Sequence, residues 1–148
     1  MKVKLLLTAF ALLTNFAAAE CCSEATTKKI HIEHPLVRPA QKNKNTGAYM
    51  SIKLDCMKAT DTLLSAESEI CTAVEIHDHI NDNGIMRMRP VKTVQIKNGE
   101  IKFVPGGLHV MLMGLKRDLV AGETIKIRLN FEKAGAVDID YQVGNPAV

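Results

Sequence analysis

From Lys29 onward, apolar and polar residues alternate in steps of two, and turn-forming residues recur between short segments. Period two is the signature of a strand that buries one face, so the chain reads as all-β. Two segments near the end are clearest. In Thr124–Phe131, Ile125, Ile127, Leu129 and Phe131 point one way, and Lys126, Arg128 and Asn130 the other. Ala136–Val143 repeats the pattern, with Val137, Ile139, Tyr141 and Val143 inward and Asp138, Asp140 and Gln142 outward. Earlier candidate strands are Lys29–Glu33, Ala48–Asp55, Thr62–Ala66, Ala73–His77, Met86–Arg89, Val91–Ile96, Ile101–Val104 and Leu108–Met113. Between them lie Asn83-Gly84, Asn98-Gly99, Pro105-Gly106-Gly107, Ala121-Gly122 and Ala134-Gly135, residues that tolerate tight-turn dihedrals. Roughly eight to nine short strands in one domain predict a two-sheet sandwich or a barrel. The polar stretch Gln41–Gly47 reads as an exposed loop.

The start of the chain breaks this pattern. Lys2 and Lys4, an apolar run from Leu5 to Phe16 and the small residues Ala17-Ala18-Ala19 form a secretory signal peptide, expected over 1–19. The run is short for a membrane span, and no later segment is apolar enough for one. Residues 20–28 are expected as a loose N-terminal segment and 29–148 as a single domain. Loss of Lys2 and Lys4 takes the formal charge from +3 to +1 (+3 − 2), which leaves no footprint for nucleic acid or a membrane surface. A lipid-attachment reading of Cys21 is disfavoured because Glu20, not a small residue, precedes it.

Four cysteines in an exported chain suit an oxidising compartment. Cys56 and Cys71 flank a short apolar segment near predicted strand ends and are the candidate disulfide. Adjacent Cys21 and Cys22 pair poorly with each other. They stand as free thiols, partners of another chain, or accessory metal ligands.

The strand Leu108–Met113 carries the chemistry. Alternation puts Leu108, Val110 and Leu112 on the core face, so His109, Met111 and Met113 share the other. Upstream, Val74 and Ile76 turn inward and leave His77 outward, with His79 at the same parity. Met86-Arg87-Met88 follows the Asn83-Gly84 turn. Were these segments neighbours, imidazoles and thioethers would converge, and that soft donor set selects Cu(I) over hard cations. Thioethers also resist disulfide formation where thiolates oxidise. Met50, Met57 and Met113 are expected as packing or surface residues. His79 is either an auxiliary ligand or an exposed loop histidine. His31 and His34 are expected to face solvent; joined with Cys21 and Cys22 they would make a second metal site.

On these residues the chain resembles the periplasmic copper chaperone family written PCu(A)C. The family signature is a His, ten residues, a Met, some twenty further residues, then His-x-Met. His77, ten residues and Met88 match its opening, and His109-Val110-Met111 its close. Twenty residues separate the halves, one fewer than usual, a difference that a shortened hairpin between Ile96 and Ile101 would absorb. That departure keeps Met86 in play beside Met88. The surrounding text, VEIHDHINDNGIMRMRPV, PGGLHVMLMGLKRDLVAGETIKIRLNFEKAG, HPLVRPA and TGAYMSI, extends the resemblance from about Ile30 to Val143. It implies a cupredoxin-like Greek-key β-sandwich holding one Cu(I) through His77, Met88, His109 and Met111. It implies a periplasmic carrier, not an enzyme, that delivers copper to the binuclear centre of cytochrome c oxidase, through subunit II, alongside Sco-type thiol proteins.

Three rivals stand beside this reading. An electron-transfer cupredoxin would need a Cys thiolate beside two His, and no Cys lies near His109. A zinc-dependent hydrolase would draw on Glu75, Asp78 or Asp82 near His77. An adhesion or assembly sandwich would leave the Met and His residues incidental.

Overall fold

The computed structural model describes residues 30–55 and 59–145. The expected leader, Cys21, Cys22, Cys56 and Met57 lie outside those residues. Ten strands follow one another: β1 (Ile30–Val37), β2 (Thr46–Leu54), β3 (Asp61–Glu67), β4 (Cys71–Asp82), β5 (Ile85–Val91), β6 (Val94–Ile96), β7 (Glu100–Phe103), β8 (His109–Leu115), β9 (Thr124–Phe131) and β10 (Gly135–Val143). The described residues contain no helix, and strands outnumber the eight to nine expected.

Hydrogen-bonded neighbours run β5-β4-β8-β2-β1-β10-β9-β3-β6, and β7 joins β2 beyond the end of β8. β2 therefore serves two partners along one edge, with Thr46–Ala48 opposite Val110–Leu112 and Met50–Lys53 opposite Glu100–Phe103. The hand-over between the two halves of the sandwich is made by β1. Its register shifts between Glu33 and Leu36, where His34 takes φ 51° and Pro35 offers no ladder donor. Past that bend, Leu36 and Val37 pair in parallel with Gln142 and Val143.

Both halves feed one core. Ile52, Leu63, Ile96, Phe103, Leu112, Ile127, Leu129 and Tyr141 are fully buried. The faces expected from alternation in β9 and β10 are the inward ones, buried along β9 and at Tyr141 and Val143 of β10, and half-buried at Val137 and Ile139. Met50 is core, and the Tyr141 hydroxyl donates to its sulfur at 2.6 Å. Burial pushes the Tyr141 hydroxyl up, so it remains a donor. Asp61, unmarked in the sequence, is 2% exposed and accepts from the backbone N–H groups of Thr62, Lys133 and Ala134, tying β3 to the β9–β10 turn.

Three expectations need correction. β2 starts at Thr46, so the end of the supposed Gln41–Gly47 loop is a buried strand. β4 continues past His77 to Asp82, because the Asn83-Gly84 turn lets it pair with β5 along its whole outer half. β6 and β7 do not form a hairpin across Asn98-Gly99. β6 pairs with β3 and β7 with β2, so that turn carries the chain between the halves of the sandwich. Cys71 is buried at the start of β4 with Leu115 as its ladder partner, and burial pushes its pKa up; its expected bridge partner Cys56 lies outside the described residues.

Candidate metal centre

The β4–β5 hairpin sets the register of the candidate ligands. Asn83 and Gly84 both take positive φ, 54° and 86°, which is the type I′ requirement for a two-residue turn. The Asn81 side chain locks it by accepting from Gly84 N–H at 2.7 Å. Residues directly opposite in an antiparallel pair share a face, and here Pro90 faces His77, Met88 faces His79 and Met86 faces Asn81. On the other edge of β4, His77 faces His109 and Glu75 faces Met111. Three strands thus present Glu75, His77, His79, Met88, His109 and Met111 on one side. Of the two competing thioethers, Met88 joins the cleft formed there; Met86 sits one step nearer the hairpin tip and is 57% exposed.

The cleft is lined by His79, Met88, His109 and Met111, with Tyr49 and Arg38 beside them. His109 is only 3% exposed, although it lies on the face of β8 away from the core. Its Nδ1–H donates to the Gly107 carbonyl at 2.9 Å, and His79 Nδ1–H donates to the same carbonyl at 3.1 Å. A carbonyl only accepts, so both rings carry a proton on Nδ1, and the neutral tautomer each can adopt is the one with its lone pair on Nε2. Gly107 itself is held in a turn in which Gly107 N–H donates to the Val104 carbonyl and Val104 N–H to that of Leu108. Burial holds the His109 pKa below its ordinary value, keeping the ring neutral. His77 differs: its Nε2–H donates to Glu75 Oε2 at 2.8 Å.

Ring spacing tests whether these side chains suit one ion. A metal–nitrogen bond of about 2.0 Å puts an imidazole centre roughly 3.2 Å from the ion, so two rings on one ion lie at most roughly 6.4 Å apart. The His79–His109 centres are 5.2 Å apart and the His77–His109 centres 5.9 Å. Both pairs fit. No three His, Cys, Asp or Glu side chains among the described residues already close on one point, so a complete shell needs the thioethers or a rotation of His77 off Glu75.

Several neighbours support the cleft without being candidate donors. The Tyr49 ring lies 6.4 Å from that of His109, and the Arg38 guanidinium covers Tyr49 at 5.8 Å. Gly47, opposite Met111, leaves room for Tyr49: a Cβ there would meet the Tyr49 hydroxyl at 2.7 Å. Nothing in the sequence marked Tyr49, Arg38 or the Gly107 carbonyl; the Pro105-Gly106-Gly107 run was legible only as a turn.

Other candidates lie elsewhere. Met113 shares the outer face of β8 but stands opposite Ala73, two steps past Met111. Of the second site imagined for the N-terminus, Cys21 and Cys22 lie outside the described residues, and exposed His31 is engaged by Asp55 at 2.6 Å. His34 is exposed at the β1 bend. Among the carboxylates a hydrolase would use, only Glu75 shares the histidine face; Asp78 alternates away and Asp82 approaches Arg87 at 3.7 Å. Cys71 is six residues from His77 along β4, about 20 Å, so it supplies no thiolate to this cleft.

The LpqE-like family, described as "Putative lipoprotein LpqE-like", matches residues 30–143, and the chain belongs to that family. It is 33% identical over 90 residues to "Putative lipoprotein Lxx21020" of Leifsonia xyli, covering 60% of this chain and 48% of that protein. The chain therefore spans about half the length of that relative. It is 29% identical over 122 residues to "Uncharacterized protein RP573" of Rickettsia prowazekii, covering 78% of this chain and 67% of the other. Among solved structures, the copper-bound PCuAC domain from PmoF2 superposes with a TM-score of 0.66 at 27% identity, over 84% of this chain and all of that domain. The Cu(I) form of DR1885 from Deinococcus radiodurans gives 0.54 at 25% identity, over 86% of this chain and 82% of that one. The fold is the cupredoxin-like sandwich of PCuAC domains.

Proposed function

We propose that this LpqE-like protein is an exported copper carrier that holds one Cu(I) in the cleft, with His109, Met111, Met88 and His77 as ligands. The observation that carries the reading is the pairing of a buried, neutral His109, its Nε2 free, with two thioethers in the same open cleft. Imidazole and thioether together favour Cu(I) over zinc, calcium or magnesium. The copper-bound PCuAC domain and the Cu(I) form of DR1885 support copper as the cargo.

The position of the donors suits transfer rather than storage or catalysis. Met88 is 52% exposed on the edge strand β5, so an incoming thiol or imidazole can replace it while His109 keeps hold of the ion. Delivery to the binuclear copper site of cytochrome c oxidase, in company with Sco-type proteins, is the route the family resemblance suggests. Export to the periplasm by a leader over 1–19 agrees with the lipoprotein names of the family and the Leifsonia relative. Mass spectrometry of the exported protein tests it: cleavage after Ala19 supports a free periplasmic carrier, whereas a diacylglyceryl group on Cys21 replaces it with an anchored one.

The deciding experiment for the site is a Cu(I) titration against a competing chelator, comparing the native chain with His109→Ala and Met111→Ala. One tight equivalent, weakened sharply in both variants, is expected. Equal and weak binding by all three proteins overturns the reading.

A further inference from the structure

The formal charge of +1 on residues 20–148 averages over two unlike parts of the chain. The β1–β2 loop and the β8–β9 connection lock together. Ala40 bridges Leu119, Asn43 N–H donates to the Leu115 carbonyl, Leu115 N–H to that of Lys44, and Lys42 N–H to the Asp118 carboxylate at 2.7 Å. Asn43 takes φ 63°, so Lys42 and Lys44 flank a pinned turn. Residues 38–46 and 114–120 together hold Arg38, Lys42, Lys44, Lys116 and Arg117 against one acid, Asp118, a formal charge of +4 (5 − 1). The remainder of 20–148 then carries −3 (1 − 4). Arg117 is taken up by Glu123 at 2.5 Å. Among the described residues, Arg38, Lys42, Lys44 and Lys116 are exposed and join no ion pair. Val120, next in the chain to the bridged Leu119, is 60% exposed.

We infer that this basic end is the docking surface for an acidic protein face, that of the partner with which the cleft exchanges copper. This rests on the carrier reading. The loop that carries the lysines is also a wall of the cleft, which Arg38, Asn45, Thr46 and Gly47 line, with Gly47 opposite Met111. Whatever covers the loop therefore stands at the cleft mouth. Met88 is on the far side of that mouth, because β4 and β8 lie between β5 and β2. A partner that takes copper must bring its own donor atoms over the opening, which a protein face does and a layer of lipid headgroups does not. Cations held on a fixed turn and left without counter-charges suit carboxylates on that face. Opposite charges steer the encounter and set its orientation more than they add affinity. A second copy of this chain docking through the same end would bring two +4 patches together, so it is a poor occupant.

The test uses the Cu(I)-loaded chain and synthetic acceptor peptides with a Cys-x-x-Cys pair flanked by glutamates, by serines or by lysines. Second-order transfer rates are measured at low and high salt for the native chain and for Lys42→Glu/Lys44→Glu/Lys116→Glu, none of whose positions is a candidate ligand. The native chain should load the glutamate-flanked acceptor at least about 10-fold faster than the serine-flanked one at low salt. The difference should shrink as salt screens the charges. Charge reversal should pass the advantage to the lysine-flanked acceptor and leave Cu(I) affinity against a chelator unchanged. Equal rates for the three acceptors at low salt overturn the inference, as does a glutamate advantage that survives charge reversal. The copper-free chain is titrated in parallel with hexaglutamate, whose amide shifts should cluster at 38–46 and 114–120; shifts absent there also overturn it. Lysine-dependent sedimentation with phosphatidylglycerol vesicles, together with no preference among the peptides, gives the patch to a membrane and overturns the protein partner. A chain that takes up no Cu(I) but binds hexaglutamate at these segments overturns the carrier reading while the acidic docking face stands.

Discussion

The β9–β10 ladder and the β4–β8 ladder are both antiparallel pairs with clean alternation, yet their non-core faces meet different surroundings. In β9–β10, Ile127 and Leu129 are fully buried while Arg128 and Asp138, directly opposite each other, form a two-pronged ion pair at 2.6 and 3.0 Å in solvent. In β4–β8, Ile76 and Val110 supply the core face, but His109 on the other face is as buried as they are. The difference comes from what lies above. His109 is approached by the Gly107 carbonyl of the 104–108 turn, by Tyr49 from β2 and by His77 and His79 of β4, whereas Arg128 stays exposed. Alternation therefore tells which face is not core, but not whether that face is wet. A polar group kept in a dry place needs a partner, and His109 has the Gly107 carbonyl.

The comparison implies that stability and copper affinity reside in different ladders, and this separation can be broken. Leu129→Ala should cost about 2–5 kcal/mol in urea unfolding through loss of buried methyl groups and the cavity left behind. The folded fraction should bind Cu(I) as the native chain does, and an affinity that fell in step would erase the separation. Asp61→Ala, which orphans three backbone donors beside the same ladder, should cost about 3 kcal/mol by the same assay, again without touching affinity.

His109→Ala should show the reverse, with Cu(I) affinity down by at least about 10- to 100-fold, or 1.4–2.8 kcal/mol, in the chelator competition. Its apo midpoint in urea should stay above that of Leu129→Ala.

The smallest effect is in the pH dependence of apo stability, where the two regions should separate by window. The His109 pKa lies below its ordinary 6.5 through burial, so as pH falls below that value the unfolded chain takes up a proton first and stability begins to decline. His109→Ala should remove this limb. Asp138, Glu123 and Glu33 are held below their ordinary 3.8, 4.5 and 4.5 by hydrogen bonds from Arg128, Arg117 and Lys53. Their contribution is complete above those values and is lost as pH falls through the lowered ones. Arg128→Gln should soften only this acid limb, and by little, because the pair is exposed. A single limb unaffected by either substitution, in thermal melts across pH, would contradict the assignment.

Much of the site was legible before folding because its information is local. His109-x-Met111 shares a face by strand geometry alone, and Asn83-Gly84 marks the turn that brings Met88 back toward the histidines. His79 was left between ligand and loop because its place depends on β4 running past His77, which is decided by pairing with β5 and not by its own sequence. Met88 and Met86 have equal parity, so only the register against β4 separates them. The same limit explains the error over β6–β7, where the turn pattern is local but the choice of partner is not.

By itself, then, the sequence determined the all-β class, the inward faces of β8, β9 and β10, and a soft donor set of His and Met, since each follows from period-two geometry or side-chain chemistry. The tertiary structure alone decided that His109 is dry, that one carbonyl orients it together with His79, that His77 is engaged by Glu75, and that Met88 rather than Met86 reaches the cleft. Those outcomes come from register and covering contacts between segments distant along the chain, which no local pattern encodes.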